Sequence, residues 1–172
     1  LVIKALAKLP ENVRFIVVGG GPDEEMLKHL AKEEGVERRV VFIGQVDRTE
    51  VPIFRYCADV FIRPSRTEGL GNAMLSAMAA RKPVVAAQAG GIKEYLFDKK
   101  HNPEKEATGW VVEPESPESI VEAVLDIINN PDKVRLVTET AYKMVNEKYN
   151  WDNIAKEMRI KVFGRLFDEY NE

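Results

Sequence analysis

The alternation of short apolar, β-branched runs with amphipathic stretches constrains the fold of this chain most. Residues 13–18 (VRFIVV) form the first such run and end in a glycine-rich turn, after which residues 23–34 carry apolar side chains at helical spacing. The pattern repeats at residues 40–43, 59–63, 83–87 and 109–112. Strands that alternate with helices build a parallel sheet with helices on both faces. We therefore predict an α/β fold with a Rossmann-like, doubly wound sheet of about five parallel strands.

Helices and one polar loop account for most of the remaining chain. The predicted helices are residues 23–34, 49–56, 72–80, 116–129, 131–148 and 151–170. The C-terminal helix, within residues 150–172, has apolar side chains four residues apart and is expected to pack along one stripe. Residues 98–108 are polar, which predicts a surface loop with a solvated His101. We predict a single domain over residues 1–172, cut at its start because residues 1–9 resemble the middle of a helix.

The amino-acid composition excludes some functional classes for this protein. The 172 residues include 25 basic and 28 acidic side chains, interspersed along the chain, for a net charge of -3. This balance implies no cationic surface, so no nucleic-acid partner is expected. The single cysteine, Cys57, fits a reducing compartment and is interpreted as a small buried side chain. No run approaches the roughly 20 apolar residues of a membrane helix. We expect a cytoplasmic protein, with peripheral attachment at the inner membrane face left open.

Ligands of an open parallel sheet bind beyond the carboxyl ends of its strands, where helix N-termini present free amides. Residues 19–22 (GGGP) form a glycine-rich turn at such an end, and glycine lets the backbone approach a ligand closely. The dinucleotide-binding fingerprint is incomplete, because Glu24 stands where its third glycine belongs. A tight strand-to-helix turn explains these glycines as well as a ligand does.

The second glycine-rich turn, within residues 63–73 (RPSRTEGLGNA), carries a carboxylate. Glu68 is followed by Gly69 and Gly71, and an apolar helix is predicted to begin at Asn72. A carboxylate here would accept hydrogen bonds from sugar hydroxyls, while the neighbouring amides take a phosphate. Capping of the helix alone does not require the glycines. We therefore favour a site for a sugar diphosphate.

A series of motifs in this region resembles a known family. The motifs are Pro64-Ser65-x-x-Glu68-Gly69-x-Gly71, Ala77-Met78-Ala79, Pro83-Val84-Val85 and Gly90-Gly91-x-x-Glu94. Together they resemble the C-terminal domain of the retaining GT-B glycosyltransferases, which include bacterial mannosyl- and glucosyltransferases. Further motifs fall in the family's order at residues 19–22, 41–44, 58–60 and 109–112, so that the resemblance covers nearly the whole chain.

The resemblance implies one half of a GT-B hexosyltransferase, the half that binds a nucleotide sugar of the UDP or GDP type. Glu68 would be the catalytic-site carboxylate that holds the hydroxyls of the donor sugar. The implied donor-binding residues are Gly20, Gly21, Gly44, Val46, Gly69, Gly71, Asn72, Ala73 and Ser76. Of these, Gly20 and Gly21 would approach the diphosphate, the amides from Gly71 to Ala73 would take the distal phosphate, and the turn at residues 44–46 would lie along the nucleobase.

This sequence departs from the family's pattern at three places. Ser76 stands where the family has a second glutamate, which binds the ribose hydroxyls. Arg81 and Lys82 stand where a glycine is usual, so a side chain occupies a position that favours positive φ. The family's first strand, with an arginine and a lysine that clamp the phosphates, would precede Leu1. With that strand and the N-terminal acceptor domain missing, the isolated chain is expected to be inactive.

No cofactor is expected, because His29 and His101 lack the spacing of metal ligands and a Mg²⁺ requirement is not implied. The complete enzyme would transfer a hexose to a glycan, a glycolipid or a cell-surface polysaccharide, in keeping with polysaccharide biosynthesis. Two alternatives stay open at this point: a GT-B nucleotide-sugar epimerase and a non-catalytic nucleotide-binding scaffold. A dinucleotide-dependent dehydrogenase is disfavoured, because no acidic residue ends the second strand.

Overall fold

Short parallel strands and α-helices alternate along residues 1–164, the part of the chain that this computed structural model describes. The strands are β1 (Phe15–Val18), β2 (Val40–Gly44), β3 (Phe61–Arg63), β4 (Val84–Ala86) and β5 (Trp110–Val111). The helices are α1 (Val2–Leu6), α2 (Glu24–Glu33), α3 (Val51–Cys57), α4 (Asn72–Ala79), α5 (Pro117–Asn129), α6 (Pro131–Lys148) and α7 (Trp151–Met158). Each predicted strand is present; β2 is one residue longer than the run that predicted it, and the other four strands are shorter.

All strand pairings are parallel, which confirms the predicted α/β class. β1 pairs with β2, with Phe15 opposite Val40, and β3, β4 and β5 pair in that order. The five strands therefore form a two-stranded and a three-stranded sheet. The expectation that a further strand precedes Leu1 stays a prediction.

Strand β4 is covered on both faces, as a doubly wound fold requires. Val84 and Ala86 pack with Met74 and Met78 of α4, all fully buried. Val85 points to the opposite side, into the apolar cluster that contains α5 and the end of α1. Alternate residues of a strand face opposite sides, so Val84 and Ala86 pack into one apolar cluster and Val85 packs into another.

Among residues 1–164, the β1–β2 sheet is covered on one face only. Phe15 and Val17 pack against a cluster formed by α1 and α2. On the other face, four β-branched side chains are between 36 and 43% exposed: Ile16, Val18, Val41 and Ile43. Helix α1 contributes Ile3 and Leu6 to this cluster and Ala5 to the cluster beneath α5. The predicted N-terminal helix thus packs against both sheets.

The predicted packing of the C-terminal helix is wrong over its described part. Helix α7 continues into a π-helical turn at Arg159–Phe163, and neither segment has a buried residue. Trp151 is 76% exposed and Met158 is 48% exposed. Helical spacing of apolar residues shows that a helix is amphipathic but does not supply a surface to cover it. The remaining positions of the predicted stripe, Leu166 and Tyr170, lie outside the described residues.

Arg81, at the end of α4, adopts the left-handed conformation that glycine favours, with φ of +54°. Its guanidinium lies 3.4 Å from the centroid of the Tyr142 ring, and its Nε donates to Glu139 Oε2 at 3.0 Å. Both partners belong to α6. A left-handed non-glycine residue costs about 1–2 kcal/mol, and these contacts offset part of that cost. Arg81, at a position where glycine is usual in the family, therefore links the end of α4 to α6 through its side chain.

Two further features bear on the predictions about the cellular compartment and about membrane attachment. Cys57 is exposed at the end of α3, which contradicts its interpretation as a buried side chain. Within residues 1–164, none of the helices combines the length and the apolar composition needed to cross a membrane.

Candidate functional site

The turns that follow β1 and β2 lie side by side. The amide of Gly19 donates to the carbonyl of Gly44 at 2.8 Å, and Gly19 and Gly44 both have positive φ. A Cβ on Gly20 would stand 3.7 Å from the amide nitrogen of Gln45. The structure thus brings two pairs of predicted donor-binding residues to the same end of this sheet: Gly20 and Gly21, predicted for the diphosphate, and Gly44 and Val46, predicted for the nucleobase.

The loop that carries Glu68 packs against the turn after β4. The amide of Gly91 donates to the carbonyl of Gly69 at 2.9 Å. A Cβ on Gly90 would overlap the carbonyl oxygen of Glu68, and a Cβ on Gly91 would stand 2.7 Å from that of Gly69. Real Cβ atoms do not approach a carbonyl oxygen so closely, so this contact requires glycine at both positions. The Gly90-Gly91 motif therefore lets the Glu68 loop pack directly against the turn after β4.

The carboxylate of Glu68 is largely buried. Its side chain is 18% exposed, and Oε2 is shielded from solvent without a hydrogen bond to any residue within 1–164. Arg63 Nε lies 3.2 Å from that oxygen, but its hydrogen bond goes to Ser65 Oγ at 3.3 Å. Buried acceptors are normally satisfied. Within residues 1–164, Oε2 therefore faces the Arg63 guanidinium as an ion-pair partner and accepts no hydrogen bond.

Helix α4 begins without a side-chain cap. Gly71 is its N-cap in the left-handed conformation, with φ of +73° and ψ of +47°. Its carbonyl accepts from the amides of Met74 and Leu75. The amides of Asn72 and Ala73 have no acceptor among the described residues. Free amides and the positive end of the helix dipole suit an anion at this point.

Ser76 lies one turn into α4, and its hydroxyl donates to the carbonyl of Asn72 at 2.7 Å. Its proton is therefore used within the helix, while the lone pairs of the oxygen stay available as acceptors. Ser76 shares the helix with Asn72 and Ala73. In the described part of the chain, no hydrogen bond joins this group, from Glu68 to Ser76, to the turns after β1 and β2.

Tyr95 and Arg63 were not singled out by sequence analysis, although both contact this loop. Tyr95 is fully buried, its Oη donates to the carbonyl of Leu70 at 2.8 Å, and its ring packs edge-to-face on Tyr149. Burial raises the pKa of the Tyr95 hydroxyl, so the group stays a protonated donor. Nothing in the sequence distinguishes Tyr95 from an apolar core residue. A terminal arginine on a strand, such as Arg63, is ordinarily solvated.

His101 is held between two carboxylates, which contradicts its prediction as a solvated loop residue. Its Nδ1 lies 2.8 Å from Asp98 Oδ1, and its Nε2 lies 3.0 Å from Glu113 Oε1. Partial burial by itself would lower the pKa of His101, but the hydrogen bonds to Glu113 and Asp98 raise it above its ordinary value. A cavity of about 190 Å³ adjoins this cluster. On its far side, Asp126 accepts from Trp110 Nε1 and from Lys133.

We expect the His101 cluster to stabilise the fold more at low pH than at high pH. The imidazolium donates to both carboxylates, whereas the neutral ring donates to one only. Because the pKa of His101 is raised on folding, its stabilising contribution is complete below about pH 6.5 and is lost as the pH rises through the raised value. The difference in melting temperature between the wild type and His101→Gln should therefore shrink from pH 5.5 to pH 9. His29→Gln, at a side chain 74% exposed, serves as the control for the substitution itself.

Among residues 1–164, no group of three His, Cys, Asp or Glu side chains is arranged to hold a metal ion. The Glu68 loop offers one carboxylate, the neighbouring Arg63 guanidinium and a row of backbone amides.

Comparison with known proteins identifies the family. The family model described as "Glycosyl transferases group 1" matches residues 1–144. An uncharacterised glycosyltransferase of Methanocaldococcus jannaschii is 36% identical over 157 residues, which are 90% of this chain and 38% of the relative. The GDP-mannose-dependent alpha-(1-6)-phosphatidylinositol monomannoside mannosyltransferase of Mycobacterium tuberculosis is 32% identical over 163 residues, or 91% of this chain and 40% of the relative. The chain thus spans about two fifths of the length of these curated relatives.

Solved structures share the fold. Anabaena HepE in complex with UDP superposes with a TM-score of 0.84 at 24% identity, over 95% of this chain and 44% of HepE. This likeness shows that the chain has the architecture of one half of a GT-B protein, as predicted. The family model matches most of the chain, and two relatives more than 30% identical align with at least 90% of it. The chain therefore belongs to the glycosyl transferases group 1 family.

Proposed function

We propose that this chain is the donor-binding domain of a retaining glycosyltransferase, which transfers a hexose from a nucleoside diphosphate sugar to a hydroxyl acceptor. The observation that carries the proposal is the solvent-shielded Oε2 of Glu68, unsatisfied within residues 1–164, on the loop that leads into the uncapped start of α4. An unsatisfied acceptor beside free amides matches a sugar hydroxyl joined to a phosphate.

In this proposal, each group at the start of α4 has one task. Glu68 accepts a hydrogen bond from a hydroxyl of the donor sugar and thereby orients the anomeric carbon. The amides of Gly71, Asn72 and Ala73 hold the distal phosphate, with Gly69 allowing close approach. Negative charge grows on that phosphate as the glycosidic bond breaks, and amides fixed before the reaction stabilise it without reorganisation.

The nucleotide end of the donor is assigned to the β1–β2 turns. Gly20 and Gly21 leave room for the diphosphate, and Gly44 to Val46 contact the nucleobase through the backbone. A UDP or GDP donor is favoured by the relatives, since HepE was solved with UDP and the mycobacterial relative is GDP-mannose-dependent. We assign the acceptor, a glycan, glycolipid or polysaccharide, to a part of the enzyme outside this chain, and its location to the cytoplasm.

Isothermal titration calorimetry with UDP, GDP and ADP on the full-length protein tests the proposal. One diphosphate should bind, and its hexose conjugates should then be consumed with transfer of the sugar. Absence of binding by all three would contradict the proposal, binding without sugar transfer would indicate the non-catalytic nucleotide-binding scaffold, and formation of an epimer would indicate an epimerase. Because we assign charge stabilisation to amides, transfer should persist in excess EDTA.

Ser76 offers a direct test of the ribose assignment. Ser76→Glu should tighten binding of the cognate nucleoside diphosphate about tenfold, since a charged acceptor on a ribose hydroxyl contributes about 1.5–3 kcal/mol, less the cost of ordering it. Ser76→Ala should change affinity less than threefold, because the serine hydroxyl already donates to the carbonyl of Asn72. The 2′,3′-dideoxynucleotide serves as the control ligand. An equal gain for that ligand would contradict ribose contact at this position.

A further inference from the structure

The segment from Gly90 to Tyr95 holds the backbone of the loop that precedes α4, one peptide after another. The carbonyl oxygen of Glu68 lies against Gly90, where a Cβ would overlap it. The next carbonyl, that of Gly69, accepts from the amide of Gly91 at 2.9 Å. The carbonyl of Leu70 accepts from Tyr95 Oη at 2.8 Å, and among residues 1–164 it has no other donor.

These contacts determine where the amides of the loop point. A trans peptide is planar, so its C=O and the N–H of the following residue point in opposite directions. The Leu70 carbonyl points at Tyr95, and the amide of Gly71 therefore points away from Tyr95. For the same reason, the Gly69 carbonyl directs the amide of Leu70 away from Gly91. Neither the Leu70 nor the Gly71 amide donates to a described residue.

The Tyr95 hydroxyl is suited to hold this geometry. Its ring is fully buried and packed on Tyr149, with centroids 5.7 Å apart. A Cβ on Gly71 would stand 2.5 Å from Tyr95 Oη, so the hydroxyl fills the space that a side chain at position 71 would need. Because the site around the hydroxyl is filled, loss of Oη leaves the Leu70 carbonyl without a donor. A part-buried carbonyl without a partner is costly, so its peptide would rotate toward water and turn the Gly71 amide with it.

We infer that Tyr95 is a positioning residue that aims the Gly71 amide at the distal phosphate of the nucleotide sugar. The inference rests on the proposed function, since it concerns the same anion site. Tyr95 does not touch the ligand. It acts through the Leu70–Gly71 peptide.

The variant Tyr95→Phe tests this role in the full-length protein, with UDP and UMP, or GDP and GMP, as the paired probes. Removal of the hydroxyl should raise the Kd of the diphosphate about tenfold and leave the Kd of the monophosphate unchanged. A merely structural role would weaken both ligands alike or neither. Tyr56→Phe, at a side chain 81% exposed, is the matched control and should change neither Kd.

A second measurement does not depend on the variant. In the wild type, the Gly71 amide resonance should shift on addition of the diphosphate but not of the monophosphate. An unshifted resonance, or parallel loss of both ligands in Tyr95→Phe, would overturn the inference while wild-type diphosphate binding still supported the proposed function. If the wild type binds none of UDP, GDP and ADP, the proposed function itself fails.

Discussion

Replacing Glu68 with glutamine is expected to lower the rate of sugar transfer by the full-length enzyme about 10²-fold, with no loss of thermal stability. Loss of a contact that positions the reacting centre costs about 10²-fold in rate. Stability should change little, because Oε2 of Glu68 accepts no hydrogen bond among the described residues and its ion-pair partner, Arg63, is half exposed. Alanine, which removes the acceptor altogether, should lower the rate further.

Glu115→Gln is the matched control for this experiment. Glu115 pairs with Arg66 of the same loop at 2.8 Å, but both side chains are well exposed, so the pair contributes little. Initial rates of transfer, or of donor hydrolysis with water as acceptor, and melting temperatures should be measured for both variants. An unchanged rate in Glu68→Gln at an unchanged melting temperature would defeat the assignment of Glu68.

Replacing Gly90 with alanine is expected to destabilise the protein by more than about 3 kcal/mol and to abolish nucleotide binding. The new Cβ would overlap the carbonyl oxygen of Glu68, which is backbone and cannot move without its loop. Gly90 also has φ of +54°, which by itself costs a non-glycine residue about 1–2 kcal/mol.

Gly35→Ala separates the two costs. Gly35 has φ of +69° and no atom within 4 Å of an added Cβ, so its substitution should lower the free energy of unfolding through backbone strain only. Urea unfolding should show a loss of about 1–2 kcal/mol for Gly35→Ala and a clearly larger loss for Gly90→Ala. Equal losses would mean that the contact between Gly90 and the Glu68 loop contributes nothing.

Much of the fold and part of the site could be predicted from the residues alone. The periodicity of apolar side chains is a local signal, so it identified all five strands and the helices from α2 to α7. Glycines at strand ends and the carboxylate of Glu68 pointed to the edge where ligands bind. The motif around Glu68 also carried the resemblance that the family match confirms. The roles of Glu68 and of the donor-binding residues stay predictions.

Other features depend on partners distant in sequence, and no local pattern encodes them. Glycine is required at positions 90 and 91 because the carbonyls of residues 68 and 69 pack against them. The role of Tyr95 depends on the Leu70 carbonyl, to which its hydroxyl donates. His101 became a half-buried ion-pair partner because Glu113, beyond β5, lies beside it.

The sequence by itself determined the order of elements and the parallel class of the fold, because both follow from short-range spacing and steric demand, and it predicted Glu68 as the carboxylate of the site. Only the tertiary structure decided which polar groups are satisfied. It paired His101, left Oε2 of Glu68 without a hydrogen bond within residues 1–164, and left Cys57 and the apolar side of α7 exposed. Burial and hydrogen-bond satisfaction are properties of the packed chain, since they depend on which distant segment occupies the space around each group.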